Sequence, residues 1–351
     1  MARPRRIAVA VVILLALMGA AAIIGVLAAM DQDESAGDSP GQTASPEPAR
    51  APLTGLRAGE GADLNHPAVA IKVSNVEQAR PQAGVDHADV VFVEPIGVSY
   101  TRLAAVFHSD LPDLVGPVRS VRPMDAPLLS PLSPVFGHTM GSPWVMDYVE
   151  SVADLDSLGT LDVQGSDAYI QDDQRPSPDD VFARPRALLE LSELDAAPEP
   201  YFGYAPDPGS SSAELAGGPG EAVEVPYGPA WRVTWTYDDA AGRYLRDGPW
   251  GAHTLVDGTQ VSAVNVLVLE VPSETGKIGD GAGAPVPILQ LIDNSGSFVA
   301  LTGGSSVTGN WSKGGIDEPF ELRTDSGEAL ELAPGNTWVE LPAPSADVET
   351  R

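Results

Sequence analysis

The densest grouping of side chains that could do chemistry lies in the stretch VGPVRSVRPMD. It contains Arg119, Ser120, Arg122 and Asp125 within seven residues. Two guanidinium groups beside a loop that leads into a helix suit a phosphate, a sulfate or a carboxylate. Arginine stays protonated, so it can hold or polarise a ligand but cannot act as a base. The stretch therefore predicts an anion-binding site, unless both arginines are paired with carboxylates of the chain itself, such as Asp125 or Glu94.

A second candidate cluster is the stretch GHTMGSP, which holds His138 and Ser142 just before a predicted helix. His138 has the chemistry of a general acid or base, although most single histidines are hydrogen-bonded structural residues. Ser142 has the chemistry of a nucleophile or, more simply, of a helix N-cap. The other histidines show no metal-ligand spacing such as HExxH, and the chain has no cysteine. We therefore predict no metal site and no cofactor.

Short strands are predicted to position the arginine-containing stretch. Residues 68–73 (AVAIKV), 89–94 (DVVFVE) and 102–108 (RLAAVFH) are β-rich apolar runs bounded by polar, glycine and proline residues. The first two show almost no polar alternation, which indicates strands buried on both faces. Helices are predicted at 124–129, 144–155 and 183–194. Glu94 and Arg102 lie at strand ends, so they join the predicted ligand-binding set: Glu94, Arg102, Arg119, Ser120, Arg122, Asp125, His138 and Ser142.

The predicted fold class is an α+β (mixed α/β) N-terminal domain followed by a smaller, mostly-β C-terminal domain. The second domain shows alternating apolar runs separated by Asp-Gly and Ser-Gly turn signals, typical of a small barrel or sandwich. The boundaries that we infer are a basic cytoplasmic stub at 1–6, a transmembrane anchor at 7–30, a disordered acidic linker at 31–52, the mixed α/β domain at 53–197, a Pro/Gly/Ser-rich linker at 198–222, the all-β domain at 223–342 and a disordered tail at 343–351.

Charge and hydropathy indicate where the protein lies. The chain of 351 residues carries 20 Lys+Arg against 49 Asp+Glu, a net charge of −29 that argues against nucleic acid binding. Residues 7–30 are apolar, free of charge and long enough to cross a bilayer, and the arginines before them would stay cytoplasmic. We expect a single-pass protein of the plasma membrane whose bulk is extracytoplasmic. A cleaved signal peptide is the alternative.

Several stretches together resemble the YerB-like family of bacterial envelope lipoproteins, which combines a domain of unknown function with its own C-terminal companion domain. They are HPAVAIKVSN, ARPQAGVDHADVVFVEP, GPVRS and GHTMGSP in the first half and LAPGNTWVELP in the second. The resemblance implies a cell-envelope protein and supplies no established reaction. Many relatives begin with a lipid-modified cysteine, where this chain has its predicted apolar helix. They also tend to carry an arginine and a Pro-His-Asn stretch where this chain has Gln171 and then Pro178-Asp179-Asp180.

Three hypotheses follow. The first is a membrane-anchored binding or accessory protein of the cell envelope, whose arginine site binds an anionic cell-wall glycan. The second is an envelope hydrolase or transferase that acts on a phosphorylated or carboxylated wall polymer through His138, Glu94 or Asp125. It requires a solvent-open pocket in which at least two of these groups converge. The third is a scaffold for envelope protein partners, which predicts an exposed apolar surface on the β domain.

Overall fold

The short apolar runs separated by turn residues fold mainly into strands. A computed structural model describes residues 49–59, 62–97, 100–278, 285–344 and 346–351. The predicted anchor at 7–30 and nearly all of the linker at 31–52 lie outside these residues. Among the helices that are described, none is long and apolar enough to span a bilayer. Residues 48–351 form one compact unit.

The first half of the chain contributes three long buried strands and four short ones. They are β1 (Val69–Asn75), β2 (Val90–Pro95), β3 (Thr101–Phe107), β4 (Val135–His138), β5 (Asp156–Gly159), β6 (Tyr169–Gln171) and β7 (Val181–Ala183). Every residue of β1 and β3 is buried, and so are all residues of β2 except its last. The three apolar runs predicted as strands are confirmed. Because both faces of these strands are covered, polar residues do not alternate along them.

The second half is almost entirely strands. They are β8 (Gly203–Tyr204), β9 (Gly218–Pro219), β10 (Ala222–Gly228), β11 (Trp231–Asp238), β12 (Arg243–Gly248), β13 (Gly251–Ala252), β14 (Ser262–Ala263), β15 (Asn265–Leu269), β16 (Ser273–Ile278), β17 (Pro285–Leu289), β18 (Asn294–Thr302), β19 (Ser305–Lys313), β20 (Glu321–Thr324), β21 (Glu331–Leu332), β22 (Thr337–Glu340) and β23 (Glu349–Thr350).

The described helices are short and lie mostly in the first half. They are the α-helices α1 (Asp125–Leu129), α2 (Pro143–Val152), α3 (Pro185–Leu191) and α4 (Ser212–Ala216), with 3₁₀ turns at Glu77–Ala79, Val85–His87, Ser130–Leu132 and Pro208–Ser210. The first three α-helices coincide with the three predicted ones: α1 and α3 begin one and two residues later, α2 begins one residue earlier, and α2 and α3 each end three residues earlier. Proline at the first helical position begins α2 and α3, where its missing N–H leaves no hydrogen bond unmade.

One mixed sheet of eleven strands joins the two halves of the chain. Its order is β20-β19-β18-β15-β22-β2-β3-β1-β4-β5, and β9 pairs with β19. β22 lies parallel to β2 on one side and parallel to β15 on the other. The mixed first segment and the mostly-β second segment are therefore both present, but the second segment does not close into a barrel of its own. Five of its strands extend the sheet of the first segment along the order β20 to β22.

Each face of the central sheet has its own apolar core. On one face, Phe92 and Val106 pack with residues of α1 and α2 such as Leu128 and Val145. On the other face, Val91 and Val93 pack with the second, six-stranded sheet of order β13-β12-β11-β10-β23, with β14 beside β12. The described residues of this unit therefore form three layers: short helices, the central sheet and the second sheet.

Candidate functional site

The site lies where β1, β2 and β4 end. β1 is antiparallel to β3, β3 is antiparallel to β2, and β4 is parallel to β1, so the carboxyl ends of β1, β2 and β4 lie at one edge. At this edge, Arg102 of β3 pairs in register with Ser74 on one side and with Glu94 on the other. Ligands of open sheets with parallel strands commonly bind at the carboxyl edge. The register thus confirms that Glu94 and Arg102 are neighbours.

The stretch GPVRS crosses this edge between β1 and β4. Ser74 N–H donates to the Pro117 carbonyl at 2.9 Å, and Arg119 N–H donates to the Lys72 carbonyl at 2.8 Å. On the other side, Thr139 N–H donates to the Arg119 carbonyl at 3.0 Å. The stretch needs its glycine, because a Cβ at Gly116 would lie only 2.7 Å from the Phe182 ring. Main-chain hydrogen bonds on both sides therefore fix Arg119, Ser120 and Arg122 in place.

A buried ion cluster lies beneath the arginines. The Lys72 ammonium donates to Glu94 Oε2 and, at 2.6 Å, to Asp125 Oδ1, and none of the three side chains reaches solvent. The second Asp125 oxygen accepts the Arg122 main-chain N–H at 2.6 Å. Burial, reinforced by the neighbouring Asp125 charge, raises the pKa of Glu94 to about 8. Glu94 is therefore largely protonated at neutral pH, and Lys72 holds both carboxyl groups.

Among the described residues, the guanidinium groups of Arg102 and Arg122 have no carboxylate partner. Arg102 donates to the Ser120 carbonyl at 2.8 Å, and Arg122 donates to the Val121 carbonyl at 2.8 Å. Across the described part of the chain, neither guanidinium has a carboxylate oxygen within 4.0 Å. Burial first, and then the charges of Arg122 and Arg119, hold the pKa of Arg102 well below its usual range. The guanidinium still keeps its charge at physiological pH. The interpretation that Arg119 and Arg122 are both paired with carboxylates of the chain holds for Arg119, which faces Asp179, but among the described residues no carboxylate oxygen lies within 4.0 Å of the Arg122 guanidinium.

Arg119 has a different environment from the other two arginines. Its Nε lies 3.7 Å from Oδ1 of Asp179, which belongs to the loop between β6 and β7. Its terminal nitrogen donates a long hydrogen bond of 3.4 Å to the Pro178 carbonyl. Of the three guanidinium groups, this one alone faces an internal carboxylate within 4.0 Å among the described residues.

His138 and Ser142 do not form an acid–base site. The His138 ring accepts the Met140 N–H at Nδ1 (3.0 Å) and bonds to the Ser157 hydroxyl through Nε2 (2.9 Å), and the residue is fully buried. Burial lowers the pKa of His138 to about 4, so the ring is neutral at neutral pH. Ser142 lies at the N-cap position of α2, although its hydroxyl makes no capping bond. Ser120 contributes its carbonyl to Arg102, and its hydroxyl lies 3.5 Å from that of Thr139.

Sequence reasoning missed Lys72 as a member of the site. The residue looked like an ordinary interruption of the apolar run AVAIKV. A lysine inside a strand buried on both faces needs a carboxylate partner, however, because an unpaired buried charge is very costly. That requirement could have linked Lys72 to the carboxylates that follow neighbouring strands.

A second buried ion pair was also missed. Arg246 lies 3.4 Å from Glu340, and neither side chain reaches solvent. The Arg246 guanidinium also bonds to His253 (3.0 Å), whose other ring nitrogen bonds to the amide oxygen of Gln82 (3.1 Å). Gln82 in turn donates to the Ser74 carbonyl at 3.1 Å. Through Gln82, the stretch ARPQAG therefore connects the second sheet to the end of β1.

A groove of about 490 Å³ opens near the ends of β2, β15 and β22. Its walls are largely apolar and include Pro95, Pro226, Val271 and Leu289, with Arg232 at the rim. None of the eight predicted site residues lines it. The groove is therefore separate from the arginine cluster.

The comparisons with known proteins support the resemblance. The model for the N-terminal domain of DUF3048, a protein of unknown function, matches residues 53–197, and the model for its C-terminal domain matches residues 223–339. The chain belongs to the DUF3048 family. Together the two matches include the ion cluster, all three arginines and the shared central sheet. The family description assigns no activity.

A relative from Bacillus subtilis is similar over most of its length. The Bacillus subtilis (strain 168) protein named "Putative lipoprotein YerB" is 27% identical over 301 residues, which cover 83% of this chain and 86% of that protein. The crystal structure of YerB from Bacillus subtilis superposes with a TM-score of 0.73 at 24% sequence identity, covering 86% of this chain and all of that one. The structural likeness shows a common fold. This DUF3048 chain is therefore related to a protein described as a lipoprotein.

Proposed function

We propose that this DUF3048 protein is a membrane-anchored binding or accessory protein of the bacterial cell envelope, with an arginine site for an anionic group of a cell-wall glycan. The apolar stretch at residues 7–30 and the name of the relative YerB support the membrane location. A cell-wall polymer with phosphate groups is the ligand that fits best, because arginine forks bind phosphate oxygens two at a time. No catalytic step is part of the proposal.

The observation that carries the proposal is that the guanidinium groups of Arg102 and Arg122 have no carboxylate partner in the part of the chain that the structure describes. With 49 acidic residues in the chain, a guanidinium should find an internal carboxylate easily. Yet Arg102 is only 6% exposed and bonds a main-chain carbonyl, while the adjacent carboxyl groups are held by Lys72. Burying a cation without a counter-ion is costly unless a ligand supplies one. The arrangement supports an external anion as the missing partner.

The charges of the cluster also favour an anion. Lys72, Arg102, Arg119 and Arg122 supply four positive charges. Asp125 and Asp179 oppose them, and Glu94 is largely neutral because burial raises its pKa to about 8. The local balance is therefore positive in a chain whose net charge is −29. An anion attracted here is held by short-range contacts, since the field of the whole protein repels it.

The hydrolase or transferase alternative is less well supported by this geometry. Glu94, Asp125 and His138 are all fully buried, and the two carboxyl groups are held on Lys72. His138 uses both ring nitrogens for internal contacts. General acid–base chemistry needs groups within hydrogen-bond reach of a substrate proton. The three named residues do not offer such a group to solvent.

Isothermal titration of the detergent-solubilised full chain with phosphate-containing wall fragments tests the proposal. Arg102→Gln and Arg122→Gln should each weaken binding roughly tenfold, because a charge-assisted hydrogen bond contributes about 1.5–3 kcal/mol. Arg323→Gln is a matched control, since Arg323 lies on β20 at the far end of the central sheet and bonds only the Gly327 carbonyl. Unchanged affinity in the Arg102→Gln, Arg122→Gln double variant, with the fold intact by circular dichroism, rejects the arginine site.

A further inference from the structure

The loop of residues 172–180, between β6 and β7, carries a carboxylate to the arginine cluster. Strand β7, which follows the loop, pairs with the stretch just before the arginines, because Val118 N–H donates to the Val181 carbonyl at 2.7 Å. Arg175 holds the loop from the other side, donating to the Ala79 carbonyl at 3.0 Å and to the Pro81 carbonyl at 2.6 Å. Asp179 is therefore placed by a restrained loop.

One oxygen of the Asp179 carboxylate, Oδ1, is buried without a hydrogen-bond partner among the described residues. The residue is 7% exposed, and its Oδ1 accepts no hydrogen bond from the described residues. The facing Arg119 Nε also lacks a hydrogen-bond acceptor there, and the two atoms are 3.7 Å apart. This separation is too long for a hydrogen bond and too short for a bridging water. The two groups consequently interact through their charges.

We infer that Asp179 is a selectivity residue that shifts the preference of the arginine cluster away from a dianionic phosphomonoester and towards a monoanionic phosphodiester. The inference rests on the proposed function. Asp179 compensates Arg119 and leaves Arg102 and Arg122 to hold the ligand. Its fixed negative charge repels every bound anion, and the repulsion grows in proportion to the charge of that anion. A phosphodiester, the linkage within a phosphate-linked polymer, is disfavoured least.

The size of the effect follows from the charge of the ligand. At the partly exposed edge of the sheet, one fixed charge changes the affinity for a monoanion on the order of tenfold. For a dianion the repulsion energy is doubled, so the same fixed charge changes the affinity on the order of a hundredfold. Replacing Asp179 by a neutral residue should therefore strengthen phosphodiester binding about tenfold and phosphomonoester binding about a hundredfold. The preference for the diester should fall by about tenfold.

The experiment is a titration of the full chain in nonionic detergent at pH 8 with glycerol phosphate and with diglyceryl phosphate. At that pH the monoester carries nearly two negative charges and the diester one. The variants are Asp179→Asn and, as a second neutral replacement, Asp179→Ser. Asp173→Asn is the matched control, because Asp173 is an exposed acid of the same loop. Asp179→Glu keeps the charge and should keep the preference.

Each outcome decides the inference. A ratio of diester to monoester affinity that is equal in the unmodified chain and the control, and that falls in either folded neutral variant, supports it. The inference is overturned if the neutral variants bind both probes more tightly by the same factor, show no gain in affinity, or bind more weakly. The arginine site remains supported in these cases, provided that Arg102→Gln still weakens binding. If neither the unmodified chain nor any variant binds either probe, both the arginine site and the inference are overturned.

A second arm of the same titration identifies the source of the phosphodiester. Phosphatidylglycerol added to the micelles offers the same linkage in a lipid headgroup, whereas a soluble glycerol phosphate oligomer offers it in a polymer. If the lipid competes with the oligomer for binding, the inference is supported and the ligand is a lipid headgroup. If the lipid does not reduce binding of the oligomer, the inference is supported and the ligand is a polymer.

Discussion

Replacing Lys72 by methionine removes the one cation that holds the buried carboxyl groups of Glu94 and Asp125. Methionine has a similar length, so the substitution leaves little empty space in β1. The carboxyl groups remain where burial excludes water, because both side chains are inaccessible to solvent. The protein must then either bury a carboxylate without its cation or bind an additional proton. Both routes make the folded state less stable.

The magnitude follows from these two routes. Removing one partner of a buried ion pair typically costs about 3–5 kcal/mol. Protonating an ordinary carboxylic acid at pH 7 costs about 4 kcal/mol, which sets an upper limit because the folded protein takes the cheaper route. We therefore expect Lys72→Met to lower the free energy of unfolding by about 3–4 kcal/mol at pH 7. For a unit of this length, that change corresponds to a fall in Tm of roughly 5–8 °C.

Urea unfolding between pH 5 and pH 8, followed by tryptophan fluorescence, measures the effect. The loss should be smaller at pH 5, where a carboxyl group takes up a proton more easily, and larger at pH 8. Asp125→Asn in the Lys72→Met background should recover about 2 kcal/mol, since the amide oxygen can still accept the Arg122 N–H without a charge. The m-value should not change if both states keep their compactness.

Lys313→Met is the matched control. Lys313 is also buried, but its ammonium donates to the carbonyls of Gly315, Ile316 and Glu318 and to no carboxylate. Burial lowers the pKa of Lys313 to about 8, so the group stays charged up to about pH 7. Its loss should therefore be equally destabilising from pH 5 to pH 7 and should not be rescued by Asp125→Asn. A Lys72→Met protein within about 1 kcal/mol of the unmodified chain, or one that Asp125→Asn destabilises further, would refute the role given to Lys72.

Two further predictions concern the protonation of buried groups. Because the pKa of Glu94 is raised to about 8 in the folded state, the stability that its neutral form provides is complete below about pH 4.5 and declines as the pH rises through 8; Glu94→Gln should flatten this decline, as urea unfolding at pH 6 and pH 9 will show. Because burial lowers the pKa of His138 to about 4, its ring should show no protonation shift in NMR spectra between pH 5.5 and pH 8. Titration of that ring near pH 6.5 in the folded protein would contradict the buried, neutral state and reopen an acid–base role.

Local patterns in the sequence were sufficient for the strands and helices that form the site. The apolar runs at 68–73, 89–94 and 102–108 became β1, β2 and β3 because their residues favour strands and bury both faces. The position of Glu94 and Arg102 at strand ends correctly indicated that they meet. Such information is contained in a few consecutive residues, so it can be read before any tertiary contact is known.

Pairings between distant residues could not be predicted. β22 lies parallel to β2, and His253 bonds to Gln82, 171 residues away. Turn signals indicate where strands end, but they do not indicate which distant strand is the neighbour, because many parallel arrangements bury the same apolar area. The second segment therefore looked like a self-contained β domain although five of its strands extend the sheet of the first. The Asp179–Arg119 contact escaped notice for the same reason.

The distribution of charges at the carboxyl edge is the strongest indication that the cluster binds something. If the cluster served stability alone, the shortest route to a neutral core would pair Arg102 directly with Glu94, its neighbour in register. Instead Lys72 bonds both nearby carboxyl groups, and the guanidinium groups of Arg102 and Arg122 bond only main-chain carbonyls among the described residues. Replacing buried charges by well-packed apolar residues is often neutral or stabilising, so stability alone does not require such a cluster. An anion-binding site requires guanidinium groups that are held in place and have no internal counter-ion. In the described part of the chain, Arg102 and Arg122 meet this requirement.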